Sequence, residues 1–255
     1  MYGYSTWYSP EFAEKYLKER PETVLVEEDS PLPYMSLILT HEEFGGRASY
    51  LGSFCAGCAN TDDNGHGTHV AAIIAKVKIV GVKVFDGTGM GSFADIIAGM
   101  SAILSDVTSK KNKNNAIVNL SFGGGLNQAA NTAVKALTDN GIHVVVAAGN
   151  EASDACLTSP ASELSAITVG ATEAISNDLV NFSNFGTCVD IFVPGVNIRS
   201  AGIQSNTSIA TFSGTSQATP HVAGTVALII SKFGNRKPVK MAEILIKIST
   251  KNIIQ

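Results

Sequence analysis

From residue 66 to residue 147 the chain alternates between short apolar runs and longer stretches of helical period, and this alternation restricts the fold more than any other feature. The pattern predicts a helix from 66 to about 75, a strand over 79–85, a helix over 92–110, a strand over 116–121, a helix over 127–140 and a strand over 142–147. Strands separated by helices of this length cannot close as hairpins. Each returns to the sheet through a crossover, which makes neighbouring strands parallel. The expected fold class is therefore α/β, a doubly wound parallel sheet with helices on both faces. In such a sheet ligands bind beyond the carboxyl ends of the strands. A length of 255 residues suits one large domain with a substantial core rather than two. Only 16% of residues are charged and 24 are glycine, as a compact α/β enzyme with helices packed closely on a sheet requires.

Charge and hydropathy exclude several classes of function. The net charge of −4 offers no basic stripe for nucleic acid, and Lys110, Lys111 and Lys113 read as a solvated helix end. No apolar run approaches the ~20 residues of a membrane span, so no membrane partner is expected. The first eight residues, Met1 to Tyr8, lack a basic region followed by a continuous apolar stretch, so no signal peptide is read there. No internal repeat or low-complexity linker is visible.

Three segments carry chemistry. Gly65-His66-Gly67-Thr68-His69-Val70 and Ser213-Gly214-Thr215-Ser216-Gln217-Ala218-Thr219-Pro220-His221 each place a reactive side chain just before a long apolar run that reads as a buried helix. Between them, Val144-Val145-Val146-Ala147-Ala148-Gly149-Asn150 is an apolar strand that ends in an amide. A general base, an oxyanion donor and a nucleophile are the parts acyl transfer needs. Small residues around Ser216 leave room for a turn, and the helix starting there presents its amides to a reacting carbonyl.

His-Gly-Thr-His, Ala-Ala-Gly-Asn and Gly-Thr-Ser-x-Ala-Thr-Pro-His, in that order, resemble the subtilisin-like serine proteases (peptidase S8, of the proteinase K and cerevisin type). The resemblance implies a three-layer α/β/α catalytic domain and a serine endopeptidase acting on polypeptides as a monomer. It implies Ser216 as nucleophile, His66 rather than His69 as general base, and Asn150 as oxyanion donor beside the Ser216 backbone N–H. Thr88-Gly89-Met90-Gly91 and Ser121-Phe122-Gly123-Gly124 resemble the two edges that hold an extended substrate, which gives Gly89, Met90, Gly91, Ser121, Phe122 and Gly123 as substrate-binding residues. Gln217 departs from the usual Met beside the nucleophile. Cys156 and Cys188 stand where some members carry a disulfide, which with an even count of four cysteines implies a secreted or lumenal location. No cofactor is expected for the chemistry, and no metal at the reaction centre. A structural calcium would fall to Asp190 with the carbonyls of Leu164 and Ala166, by likeness to proteinase K-like relatives.

The N-terminal part departs from the family. Ser9-Pro10-Glu11 reads as a helix start, and Thr23-Val24-Leu25-Val26-Glu27-Glu28-Asp29 as a strand running into an acidic turn. Such a unit resembles the end of an inhibitor I9-type propeptide, which implies the chain's own propeptide as a partner. The expected division is 1–29 as a small α+β propeptide remnant and 30–255 as catalytic domain. The family's strand of the form Val-Ile-Asp-Thr-Gly, which carries the triad aspartate, is absent. In its place stands Tyr34-Met35-Ser36-Leu37-Ile38-Leu39-Thr40-His41-Glu42-Glu43-Phe44, in which 35–39 is apolar enough to stand in as a strand but ends without a carboxylate. Glu42 and Glu43 match an exposed loop of the family rather than a triad position. Two alternatives follow: a catalytically inactive homologue that binds peptides or regulates, and a zinc module built on Cys55-x2-Cys58 and His66-x2-His69, against which the short histidine spacing argues.

Overall fold

The computed structural model describes residues 2–3, 22–26, 37–74, 77–110, 115–176, 178–251 and 254. The elements run β1 (Tyr2–Gly3), β2 (Glu22–Val26), β3 (Ala48–Ser53), α1 (His66–Ile73), β4 (Lys78–Lys83), α2 (Phe93–Ser109), β5 (Ile117–Leu120), β6 (Gly124–Gly125), α3 (Gln128–Asp139) and β7 (His143–Ala147). There follow β8 (Thr158–Ser159), β9 (Ile167–Thr172), β10 (Ile191–Pro194), β11 (Ile198–Ala201), β12 (Ile209–Phe212), α4 (Thr215–Phe233), α5 (Pro238–Ile248) and β13 (Thr250–Lys251). The helix expected to start at Ser9 lies outside the described residues.

Among the described residues, nine strands form one sheet in the order β13-β1-β10-β9-β7-β5-β2-β4-β3. Every pairing is parallel except that of β1 with β13. Alternation along the strands divides the interior into two layers. On β5, Ile117 joins one core cluster and Val118 and Leu120 the other, and on β7 Val145 faces opposite to Val144 and Val146. The first cluster is closed by α1 and α4 through Val70, Ala71, Val222 and Val226, the second by α2 and α3 through Ile96, Ile103, Val134 and Leu137. The sheet is thus covered on both faces, as its continuous apolar strands require.

Helix ends follow local chemistry. Ser92 and Asp95 form a reciprocal capping box at the start of α2, and Asn127 accepts from the Ala130 N–H at the start of α3. The core helices α1 and α4 approach so closely that a Cβ on Gly224 would lie 3.1 Å from the Ile74 carbonyl oxygen.

One sequence expectation is corrected here. The sequence offered 35–39 as a stand-in for the family's aspartate-bearing strand; in the structure β2 lies between β4 and β5, pairing in parallel with both, with Val26 level with Val82 and with Leu120. Both β1 and β2, which precede residue 29, pair within this sheet. The stand-in strand expected over 35–39 does not form in its described part: Leu37 and Ile38 carry no strand pairing, and Leu39 and Thr40 make a turn. The physical reason is register. Residues 22–26 supply five consecutive backbone pairs to β4, a ladder that Leu37 to Thr40, folding back at once into the turn at Glu42–Phe44, cannot supply.

Candidate active site

Asp62 sets the start of α1. Its Oδ1 accepts from the N–H groups of Asn64 (3.0 Å) and Gly65 (2.7 Å), and its Oδ2 from the Thr68 N–H (2.9 Å) and hydroxyl (2.5 Å). Gly65 takes a left-handed conformation at φ 108° immediately before His66. Burial pushes the Asp62 carboxyl up, against those hydrogen bonds. The Asp62 carboxylate is thus occupied with the helix start and not with the imidazole, and Asp63, the carboxylate closest in sequence to His66, pairs with Lys83 Nζ at 2.7 Å. Sequence reasoning passed over Asp62, although Asp-Asp-Asn before a helix is a recognisable capping signal.

His66, half-buried, opens α1, and its Nδ1 is sealed from solvent with no hydrogen-bond partner among the described residues. Desolvation, followed by the charge of His69, lowers its pKa to about 3. His69, the second histidine, is packed inside. Its Nε2 lies 3.1 Å from the Ile198 carbonyl oxygen, its ring is 4.5 Å from Phe212, and burial lowers its pKa to about 4. Glu42 and Glu43 are exposed on a short turn, beside a cavity with His41, Arg199 and His221.

Ser216 lies in the first turn of α4 and is 2% exposed. Its Oγ donates to the Ser121 carbonyl at 3.0 Å, while Ser121 Oγ donates to the Ser216 carbonyl at 2.9 Å. No hydrogen bond joins Ser216 to His66 among the described residues. Pro220 explains the second contact: lacking an N–H, it leaves the carbonyl four residues before it without a helical partner, and Ser121 supplies one.

Asn150 meets the same turn. Its Oδ1 accepts from both the N–H (2.9 Å) and the hydroxyl (3.0 Å) of Thr215, and a Cβ on Gly214, the residue before α4, would lie 3.4 Å from its amide nitrogen. The loop is clamped by Asn184, fully buried, which donates to the Ala148 carbonyl (2.9 Å) and Glu151 (2.7 Å) and accepts from the N–H groups of Glu151 and Ser153. At Gly149, φ is 104° and a Cβ would fall 2.3 Å from Asn184 Nδ2, so only glycine fits. Asn119 and Asn184 were both missed from sequence; a lone amide inside Ile117-Val118-Asn119-Leu120 is the signal for the first.

Gly89, Met90 and Gly91 come together with Phe122 and Gly123 around one cavity of about 190 Å³, floored by Phe85, Phe93 and Ile96. Ser121, the sixth of the expected substrate-binding residues, does not line that cavity and is hydrogen-bonded to Ser216. Both cysteine pairs are disulfides: Cys156–Cys188, with Cα atoms 5.3 Å apart, as the resemblance implied, and Cys55–Cys58, left open between thiols and a bridge. With those sulfurs joined and His69 packed inside, the zinc alternative has no ligand set, and no cluster fit to hold a metal occurs among the described residues. Asp190, half-buried, accepts from the Thr168 N–H at 2.8 Å, and burial pushes its carboxyl up to about 6.

A strand-end amide and a buried helix-start serine thus lie together beyond the carboxyl ends of a parallel sheet. The chain belongs to the subtilase family, whose model matches residues 56–254. It is 43% identical over 223 residues to a cuticle-degrading protease of Metarhizium anisopliae, covering 84% of this chain and 56% of that protein. It is 41% identical over 223 residues to proteinase T of Parengyodontium album, covering 84% and 74%. A crystal structure of a cold adapted subtilisin-like serine proteinase superposes with a TM-score of 0.82 at 37% identity, covering 92% of this chain and 84% of that one. The chain spans about half the length of the curated relatives it matches, between 47% and 56% of three of them.

Proposed function

We propose that this protein is a serine endopeptidase that cleaves polypeptides through an acyl-enzyme. In this reading Ser216 Oγ attacks the carbonyl carbon of the scissile bond and its proton passes to His66 Nε2. The carbonyl oxygen, now an oxyanion, is held by the Ser216 N–H and the Asn150 side-chain amide. Collapse breaks the C–N bond, and His66 returns the proton to the departing amine. Water then attacks the acyl carbon by the same route and frees Ser216. Peptide would lie extended between 89–91 and 121–123, its side chain filling the cavity floored by Phe85 and Phe93.

The observation that supports this most directly is the double acceptance by Asn150 Oδ1 from Thr215, because it orients a donor amide beside the nucleophile before any substrate arrives. The test is hydrolysis of a denatured protein by purified chain, with Ser216→Ala and Asn150→Ala. Ser216→Ala should abolish cleavage and Asn150→Ala should slow it by about 10²–10³-fold. Cleavage unaffected by Ser216→Ala would overturn the assignment.

A second reading, a non-catalytic homologue that binds peptides, is favoured by one feature: His66 Nδ1 has no partner among the described residues, and Ser216 Oγ is engaged elsewhere. Peptide binding without cleavage would support it.

Calcium would serve stability, not chemistry. Asp190 with the carbonyls of Leu164 and Ala166 would hold it, and the desolvated Asp190 carboxyl is the kind of group a cation relieves. The two disulfides favour an oxidising compartment, secreted or lumenal. No described helix is long and apolar enough to cross a membrane.

A further inference from the structure

Strand β5 carries one polar side chain in an otherwise apolar interior. Ile117, Val118 and Leu120 are fully buried, and so is Asn119, which shares a face with Ile117 toward the layer of α1 and α4. Among the described residues an amide there has a single use: its Nδ2 donates to Ser121 Oγ at 2.8 Å, while its Oδ1 is buried without a partner. A leucine would fill such a site with no unpartnered atom, so the amide does not serve packing.

The direction of each hydrogen bond is fixed. Ser121 Oγ has one proton, and it goes to the Ser216 carbonyl that Pro220 leaves open. The oxygen can therefore only accept from Asn119. The Ser216 hydroxyl in turn donates to the Ser121 carbonyl. Asn119, Ser121 and Ser216, all buried, form one chain from the middle of the sheet to the backbone of the reactive serine. Without the Asn119 donor, Ser121 Oγ is free to rotate, and the Ser216 carbonyl loses the contact that replaces its helical one.

We propose that Asn119 is a positioning residue for the nucleophile, acting through Ser121 on the Ser216 backbone. The inference rests on the reading of Ser216 as an activated serine. It concerns the bond-forming step and not substrate affinity, because Asn119 lies inside the sheet and touches no part of the cleft.

The test is the rate of labelling by a fluorophosphonate, resolved into the maximal rate and the half-saturating concentration, for wild type, Asn119→Leu, Ser121→Ala and the double variant. Molecules that fail to fold lower the labelled fraction and leave the rate of the remainder intact. Asn119→Leu should lower the maximal rate about tenfold, the size of one lost neutral hydrogen bond, and leave half-saturation within about twofold. On the Ser121→Ala background the same substitution should add less than about twofold, because its only route is already cut. An unchanged maximal rate for Asn119→Leu, or fully additive losses, would overturn the proposal while leaving the peptidase reading intact. Wild type that shows no Ser216-dependent labelling would instead remove the activated serine, and this inference with it.

Discussion

His66 shows how far one missing contact changes a residue. In a subtilisin-type site a carboxylate at Nδ1 fixes the tautomer and stabilises the imidazolium formed during attack. Here Nδ1 is sealed and has no partner among the described residues, and desolvation lowers the pKa to about 3. The ring stays neutral, and so able to accept a proton, far below the ordinary histidine value of 6.5. Labelling of Ser216 should therefore be nearly flat from pH 7 to pH 5; a fall centred near pH 6.5 would show that a carboxylate or solvent reaches Nδ1. The same shift bears on stability. The unfolded chain takes up the proton at its ordinary value and the folded chain resists it, so stability should decline as pH falls below about 6.5 and level off near 3. Loss of the triad carboxylate alone lowers turnover about 10⁴-fold in subtilisin, so activity at that reduced scale is what this site supports if the position stays empty.

At the scale of elements, the central issue is β2. Its two parallel partners make it the middle of the sheet's amino-terminal half, although its sequence reads as the last strand of a propeptide. A separable propeptide and a core strand respond oppositely to deletion. Removing residues 1–29 should abolish cooperative unfolding, because β4 and β5 lose backbone partners along their length; a truncated chain that folds and labels would contradict the central placement. Val24→Pro, which removes an N–H from the ladder, should cost about 3 kcal/mol or more, roughly 6–12 °C in melting midpoint. The elements from α1 to β7, β6 apart, were legible because their signals are local. Ser92-x2-Asp95 announces a helix start, and Ile117 to Leu120 and His143 to Ala147 are apolar runs between helices. The place of β2 was not legible, since five residues of strand-forming sequence say nothing about which neighbours they pair with. At the site, Ser216 and Asn150 could be found from contiguous motifs, whereas Asn119, Asp62 and Asn184 act through contacts between segments far apart in sequence or through a backbone turn.

Across the whole molecule, stability and activity depend on separate features. The sheet, its two apolar layers and the disulfide from Cys156 to Cys188 hold the frame, and Asp190 sits half-buried in that frame with a carboxyl raised to about 6. A carboxyl whose folded value lies above its unfolded value of 3.8 binds its proton more tightly in the folded state. Its contribution therefore turns unfavourable as pH rises from about 4 to 6 and stays so above. Calcium, binding the ionised form, should raise the melting midpoint at pH 7.5, do so less as pH falls through 6, and have no effect on Asp190→Asn. A calcium shift retained in Asp190→Asn would place the cation elsewhere.

Whether Ser216 is an activated nucleophile in this chain separates a peptidase from a non-catalytic homologue. The decisive measurement is labelling of the purified, folded protein with a fluorophosphonate, with Ser216→Ala as control. The account predicts slow labelling that saturates at one site and vanishes in Ser216→Ala. A folded protein that takes up no label, or takes it up equally with Ser216→Ala, would contradict it and leave a subtilase frame that binds without cutting.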